Sequence, residues 1–283
     1  LSSFLIFSVI FLILEFIRGS ILTGFPWNLF AYSFSNESEI LILTSLIGTY
    51  GFNLLCISLF ITPGVIFLRE GKKDIFICLL FPLIFLLSFI YGSFNKEKFN
   101  ELDSKKLDYK LRVVGSNISL DRFYKKKDTE NVINELINLS APDPEKKIFF
   151  IWPEGIIPDT YQDQLILYND LFKNNFSKNH IIGLGITNRS VNKKQYKFFN
   201  SLSVFDNNLN LIKTYNKVNL VPFGEFLPFE SFLNKIGLKT ITNNFGSFTS
   251  GKQRKIIEFE NNFKGLSFLP LICYEIIYSG KLT

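Results

Sequence analysis

Three residues stand where an apolar run gives way to a compact polar side chain. Glu154 follows Ile-Phe-Phe-Ile-Trp-Pro, Cys273 ends Leu-Ser-Phe-Leu-Pro-Leu-Ile-Cys, and Lys217 lies in Tyr-Asn-Lys-Val-Asn-Leu-Val-Pro-Phe-Gly-Glu-Phe. Strand ends of this kind are where α/β folds build sites. A thiol is mostly protonated at neutral pH, so a nucleophilic cysteine needs a base to take its proton or a cation to hold the thiolate. Glu154 can be that base and Lys217 that cation. An ammonium held in a loop shaped by Pro and Gly can also offset the oxyanion of a tetrahedral intermediate. Each residue has a plainer reading beside this one: a solvated strand end, a surface charge and a small buried hydrophobe.

Other chemistries are excluded by counting. The 283 residues include one His, three Cys and no Met. A His-based triad could run only through His180, which has no Ser or Asp constellation and reads as structural, and Cys/His zinc sites are nearly excluded. Cys56 and Cys78 sit inside apolar runs and the cysteine count is odd, so each thiol is read as separate. The net charge is +6, but the lysines are scattered among Asn and Asp without a nucleic-acid-binding signature. A solvated face beside anionic lipid is the better reading, with no nucleic-acid partner.

The elements that must position these residues fall in two parts. Residues 1–94 carry three long apolar runs, about 4–17, 40–68 and 75–94. Roughly 20 apolar residues cross a bilayer, so three transmembrane helices are predicted, with Gly48, Gly51, Pro63 and Pro82 allowing kinks and close helix contacts. The first run lacks the basic region and small-residue cleavage site of a signal peptide. Arg69 to Lys73 concentrates positive charge, which places that loop in the cytoplasm and the later chain on the opposite side. Phe25, Trp27 and Tyr32, between the first two spans, suit the membrane interface.

A linker is expected at 95–110, then an alternating α/β pattern over 111–283. The predicted strands are Leu111 to Ile118, Ile148 to Trp152, Ile181 to Thr187, Ser201 to Phe205, Leu211 to Tyr215 and Leu266 to Cys273, with helices between them. Val132, Ile133, Leu136 and Ile137 form one helical stripe. Tyr161, Leu165, Tyr168 and Phe172 form another, capped at Asp159.

Trp152-Pro153-Glu154, Tyr215-Asn216-Lys217 with Leu220 to Phe226, and Ile272-Cys273-Tyr274-Glu275 together resemble the nitrilase (carbon-nitrogen hydrolase) superfamily. More closely, the chain resembles its apolipoprotein N-acyltransferase family, bacterial enzymes that add the third acyl chain to lipoproteins. Arg18 to Asn28 is similar to that family's segment between early transmembrane helices, and Gly48 to Gly51 to the start of the next one. Gly155 departs from the small hydroxyl residue the family often has there. The resemblance spans nearly the whole chain.

It implies a nitrilase-like α-β-β-α sandwich, incomplete at its C-terminus, attached to an α-helical transmembrane bundle in the bacterial inner membrane, with the catalytic domain on the periplasmic side. It further implies Glu154 as general base, Lys217 as oxyanion and thiolate stabiliser, Cys273 as nucleophile, and Glu225 and Glu275 as supporting carboxylates. The expected partners are a phospholipid acyl donor and a diacylated lipoprotein acceptor. No metal or organic cofactor is implied, since transfer through a thioester needs none. The alternatives are a membrane-tethered amidase or nitrilase that passes the acyl group to water, and a non-catalytic lipid-binding protein on the same scaffold. Against the family's length, the chain reads as a fragment.

Overall fold

The computed structural model describes residues 2–22, 24–68, 71–100, 107–116, 118, 129–192, 195–229, 247–260 and 263–278. The chain divides into two units, Leu1–Lys105 with Ile277–Thr283, and Lys106–Ile276.

The first unit is helical. Its elements are α1 (Ser2–Ser20), a 3-10 turn (Phe30–Phe34), α2 (Ser38–Leu41), α3 (Leu43–Leu68) and α4 (Lys72–Asn100). Helices α1, α3 and α4 are each long and apolar enough to cross a membrane. Many of their large side chains, including Ile6, Leu14, Phe67, Leu79 and Leu86, are exposed. That is the surface expected of helices solvated by lipid rather than by water. Leu29, Ala31, Phe52, Cys56 and Phe85 form the inner cluster, where Asn53 Oδ1 accepts the Ala31 N–H at 3.0 Å. Gly48 breaks α3 at a φ of 71°, a conformation glycine adopts without a Cβ clash. The Phe25 and Trp27 rings stack at 5.5 Å, and the Tyr32 hydroxyl donates to Pro26 O. The Arg69 and Glu70 on which the orientation rests lie outside the described residues, as do Thr23 and residues 101–106 of the expected linker.

The second unit is built on a mixed sheet in the order β1-β2-β3-β4-β5. The strands are β1 (Lys110–Val113), β2 (Ile148–Trp152), β3 (His180–Asn192), β4 (Gln195–Asp206) and β5 (Leu211–Asn216). The first three run parallel and the last three antiparallel. β2 is flanked on both edges and covered on both faces, which is why its sequence is a continuous apolar run rather than an alternation. Among the described residues, helices lie in the parallel crossovers: α5 (Thr129–Ser140) between β1 and β2, and a 3-10 helix (Gln162–Tyr168) with α6 (Asn169–Asn175) between β2 and β3. The expectation of helices between the strands is corrected for β3 to β5, because antiparallel neighbours need no crossover.

One face of the sheet packs Ile148, Phe150, Trp152, Ile182 and Leu184 against the α5 stripe of Val132, Ile133, Leu136 and Ile137, with Leu165 and Phe172. The other packs Phe149, Ile181, Val204 and Tyr215 against Ile257, Phe259, Phe263, Leu266 and Ile272.

Further boundaries differ from expectation: β3 and β4 run beyond the predicted Ile181 to Thr187 and Ser201 to Phe205, α4 continues to Asn100 where a linker from 95 was expected, and the run over 40–68 is divided between α2 and α3. The 3-10 helix is capped at Tyr161, whose N–H donates to Gln164 Oε1 at 3.0 Å, not at Asp159, which sits at a φ of 47°. β1 ends at Val113, short of Ile118, and Asn117 lies outside the described residues. Of the predicted strand Leu266 to Cys273, only β7 (Ser267–Phe268) pairs, with β6 (Ile257–Glu258). Beyond it Pro270 has no N–H to offer a ladder, and the Ile272 N–H donates to Glu275 Oε2 instead of to a strand.

Candidate active site

Glu154 leaves the end of β2 through Pro153, which halts regular pairing. The chain then turns across β3: the Gly155 N–H donates to Gly185 O at 3.1 Å, with Gly155 at a φ of 54°. A Cβ at position 185 would lie 2.4 Å from Glu154 Cα, so only a glycine lets this backbone lie so close over the strand.

Lys217 follows β5 directly. Its N–H donates to Asn200 O and its carbonyl accepts the Gly251 N–H, both at 2.8 Å. The side chain is 1% exposed, and an ammonium taken so far from water must be met by charge and hydrogen bonds. Its Nζ donates to Glu225 Oε1 at 2.9 Å, lies 3.9 Å from Glu154 Oε1, and sits 5.0 Å from the centre of the Tyr274 ring, within range of a cation–π contact.

Glu225 is fixed by its own loop. Oε2 accepts the Val221 N–H at 2.9 Å, and the Glu225 N–H returns to Val221 O. Phe223, within this loop, has a φ of 64°.

Cys273 opens a 3-10 turn (Cys273–Ile277) at a φ of 54° and is exposed. It shares with Glu154 the lining of a cavity of about 450 Å³, walled mainly by apolar groups that include Ile151, Leu202, Leu271 and Ile276. A thiol and a carboxylate therefore line one largely apolar space.

Glu275 is fully buried. Oε1 accepts the N–H groups of Val218 at 2.9 Å and Asn219 at 3.0 Å, and Arg254 Nη2 lies 3.2 Å away. Tyr215 donates its hydroxyl to the same carboxylate. Burial, and then the Glu275 charge, push the Tyr215 phenol upward from its usual range, so it remains a donor.

The structure thus brings Glu154, Lys217 and Glu225 into one network, places Cys273 on the cavity Glu154 lines, and puts Glu275 in the support beneath Lys217. Two residues in this arrangement were missed from sequence. Asn200 Nδ2 donates to Glu154 Oε1 at 2.5 Å and to Glu225 Oε1 at 2.8 Å. Arg254 donates to Asn219 Oδ1 and to Glu275. Asn200 is a lone polar residue in β4, and nothing in composition separates it from the chain's many other asparagines. Among the described residues no group of three His, Cys, Asp or Glu is placed to hold a metal ion.

Residues 1–62 match the family model of the apolipoprotein N-acyltransferase N-terminal domain. The chain is similar to the apolipoprotein N-acyltransferase of Brucella melitensis biotype 1, with 27% identity over 100% of this chain and 53% of that protein. It is likewise similar to that of Rhizobium leguminosarum bv. trifolii, with 29% identity over 96% of this chain and 51% of that protein. The chain spans about half the length of the curated relatives it matches. A solved N-terminal amidase with an Asn-Glu-Ala peptide aligns over 56% of this chain and 38% of that one, at 14% identity and a TM-score of 0.32, too slight a likeness to carry the fold. The resemblance to the apolipoprotein N-acyltransferases read from the sequence is borne out along the chain.

Proposed function

We propose that this chain carries the acyl-transfer site of an apolipoprotein N-acyltransferase, a nitrilase-like domain attached to a transmembrane bundle in the bacterial inner membrane and facing the periplasm. The observation that carries the reading is the shared apolar cavity of Glu154 and Cys273, with the buried Lys217 ammonium 3.9 Å from Glu154 Oε1.

In the first half-reaction Glu154 takes the Cys273 proton and the thiolate attacks a phospholipid ester carbonyl, while Lys217 offsets charge on the carbonyl oxygen. The intermediate collapses with cleavage of the ester C–O bond. The lysophospholipid leaves with the proton Glu154 held, and the acyl group stays on Cys273 as a thioester. In the second, the α-amine of a diacylglyceryl-cysteine attacks the thioester carbonyl. Glu154 takes the amine proton and returns it to the departing thiolate, leaving an amide on the lipoprotein. Glu225 and Glu275 act as supports: Glu225 is a direct partner of Lys217, and Glu275 holds the backbone on either side of the site.

The test uses the protein in membranes with a phospholipid labelled in its acyl chain. Label should appear on Cys273, be released by hydroxylamine, and persist until a diacylated lipopeptide amine arrives; Cys273→Ala should take none. Absence of lipid-derived label together with turnover of small amides would replace this reading with a hydrolase.

A further inference from the structure

We infer that Asn200 is a positioning residue of this site: its side-chain amide joins the base Glu154 to the lysine partner Glu225 and fixes which carboxylate oxygen of Glu154 is left for the Cys273 proton. The inference rests on the acyl-transfer reading and deepens it.

The geometry begins with sheet register. Asn200 stands opposite Thr187 in the β3–β4 pairing, on the same face of β4 as Leu202 and Val204, because side chains alternate along a strand. That face carries Leu202 into the cavity shared by Glu154 and Cys273. The Asn200 carbonyl holds the backbone of Lys217, so one residue of β4 touches both carboxylates and the backbone that carries the ammonium. These come from three segments: Glu154 from the end of β2, Lys217 from the end of β5, and Glu225 from the 220–227 loop.

The charge arrangement explains why an amide is needed. Glu154 Oε1 and Glu225 Oε1 both receive the Asn200 Nδ2 group, and Lys217 lies 2.9 Å from the second and 3.9 Å from the first. Two carboxylates so close repel unless donors stand between them. The single ammonium is already committed to Glu225, and the amide supplies neutral donors where a second cation would compete with Lys217 for the reacting oxygen. With Oε1 of Glu154 occupied by Asn200, Oε2 is the oxygen free to take the thiol proton.

Asn200→Asp keeps the shape and replaces the donors with a third carboxylate. Like charges at this spacing favour proton uptake by the cluster, and the base works only when deprotonated. The ascending limb of the pH profile of Cys273 acylation should therefore move up by about one unit or more. Asn200→Ala removes the donors without adding charge. It should lower the acylation rate by about 10- to 100-fold, the scale of a misplaced catalytic group, with KM for the lipid little changed.

The position of a limb on the pH axis does not depend on how much protein is folded, so a loss of stability cannot imitate it. An Asn200→Asp limb that coincides with the parent's, or an Asn200→Ala rate that falls only with the folded fraction, would overturn the inference. Acylation that survives in Cys273→Ala or Glu154→Gln would instead overturn the acyl-transfer reading itself.

Discussion

Glu275 Oε1 accepts the backbone N–H of Val218 at 2.9 Å, while its Oε2 accepts that of Ile272 at the same distance. One buried carboxylate thus ties the residue after Lys217 to the residue before Cys273. Arg254 supplies the charge that balances it. Glu275→Gln keeps the shape but turns an NH2 group toward N–H donors, and it leaves Arg254 without its carboxylate. Losing one member of a buried pair costs about 3–5 kcal/mol, and because the amide retains one acceptor oxygen we expect about 2–4 kcal/mol here. Urea-dependent proteolysis of the detergent-solubilised protein would measure it; a loss below about 1 kcal/mol would mean the carboxylate is not holding these segments.

His180 predicts how the second unit responds to acid. Its ring is buried, Nδ1 accepts the Ser177 N–H at 3.1 Å, and Nε2 lies 2.8 Å from Asp143 O, so the proton of the neutral ring belongs on Nε2. Burial holds the imidazole below its ordinary range, only partly opposed by the Asp143 carbonyl. The unfolded chain, titrating near about 6.5, then binds more protons than the folded one. The stabilising contribution is present above that pH and is lost as pH falls toward the folded value, with a slope of at most about 1.4 kcal/mol per pH unit. Thermal midpoints between pH 7.5 and 5 should fall in the parent and flatten in His180→Gln. The lowered carboxyls of Asp108 and Asp143 titrate in a more acidic window and would not imitate this. Parallel curves for the two proteins would show that His180 is not the group responsible.

Gly185 and Gly183 separate a catalytic constraint from a packing one. A methyl at 185 meets backbone, Glu154 Cα at 2.4 Å and Pro153 O at 3.1 Å; a methyl at 183 meets the edge of the Phe149 ring at 2.9 Å. Both substitutions overpack, at a cost of about 1–3 kcal/mol each. Only Gly185→Ala pushes the Glu154 backbone away from β3, so acylation of Cys273 should drop on the order of 100-fold beyond the folded fraction. Gly183→Ala should lose activity only as it loses folded protein. Equal specific activities in the two variants would remove Gly185 from the site.

What could be read in advance follows from the range of the interaction involved. β2 was legible to the residue because a strand buried on both faces must be apolar throughout, and the α5 stripe because one helical face is buried. Glu154, Lys217 and Cys273 stand out in sequence because each ends an apolar run, and the structure places Glu154 3.9 Å from Lys217 and on the cavity that Cys273 lines; their roles are the proposal above. Asn200 and Arg254 do not stand out, because their value lies in register and in partners far along the chain: Asn200 reaches Glu154 across 46 positions. The predicted strand into Cys273 failed for a related reason. Leu266 and Ile272 of that run are buried, but the hydrogen bonds that decide strand from turn go to a buried glutamate whose role hydropathy cannot express.

Trp152 shows how the α5 layer reaches the site. Its indole Nε1–H donates to Ser140 Oγ at 2.9 Å, and the Ser140 hydroxyl in turn donates to Leu136 O at 2.7 Å. Trp152 packs on the α5 face of the sheet, opposite the face that carries Leu202 and Ile272 of the cavity, so this bond anchors the end of β2 just before Glu154. Ser140→Ala strands a buried indole N–H, at a cost of about 1–3 kcal/mol. Trp152→Phe removes the donor together with much of the ring, and its own cost is dominated by lost packing. The double variant should therefore be less destabilised than the sum of the two, by about 1 kcal/mol, since contacting groups in one hydrogen-bonded chain are not additive. Strict additivity in a double-mutant cycle would mean that Ser140 contributes to α5 alone and that the end of β2 is held by packing.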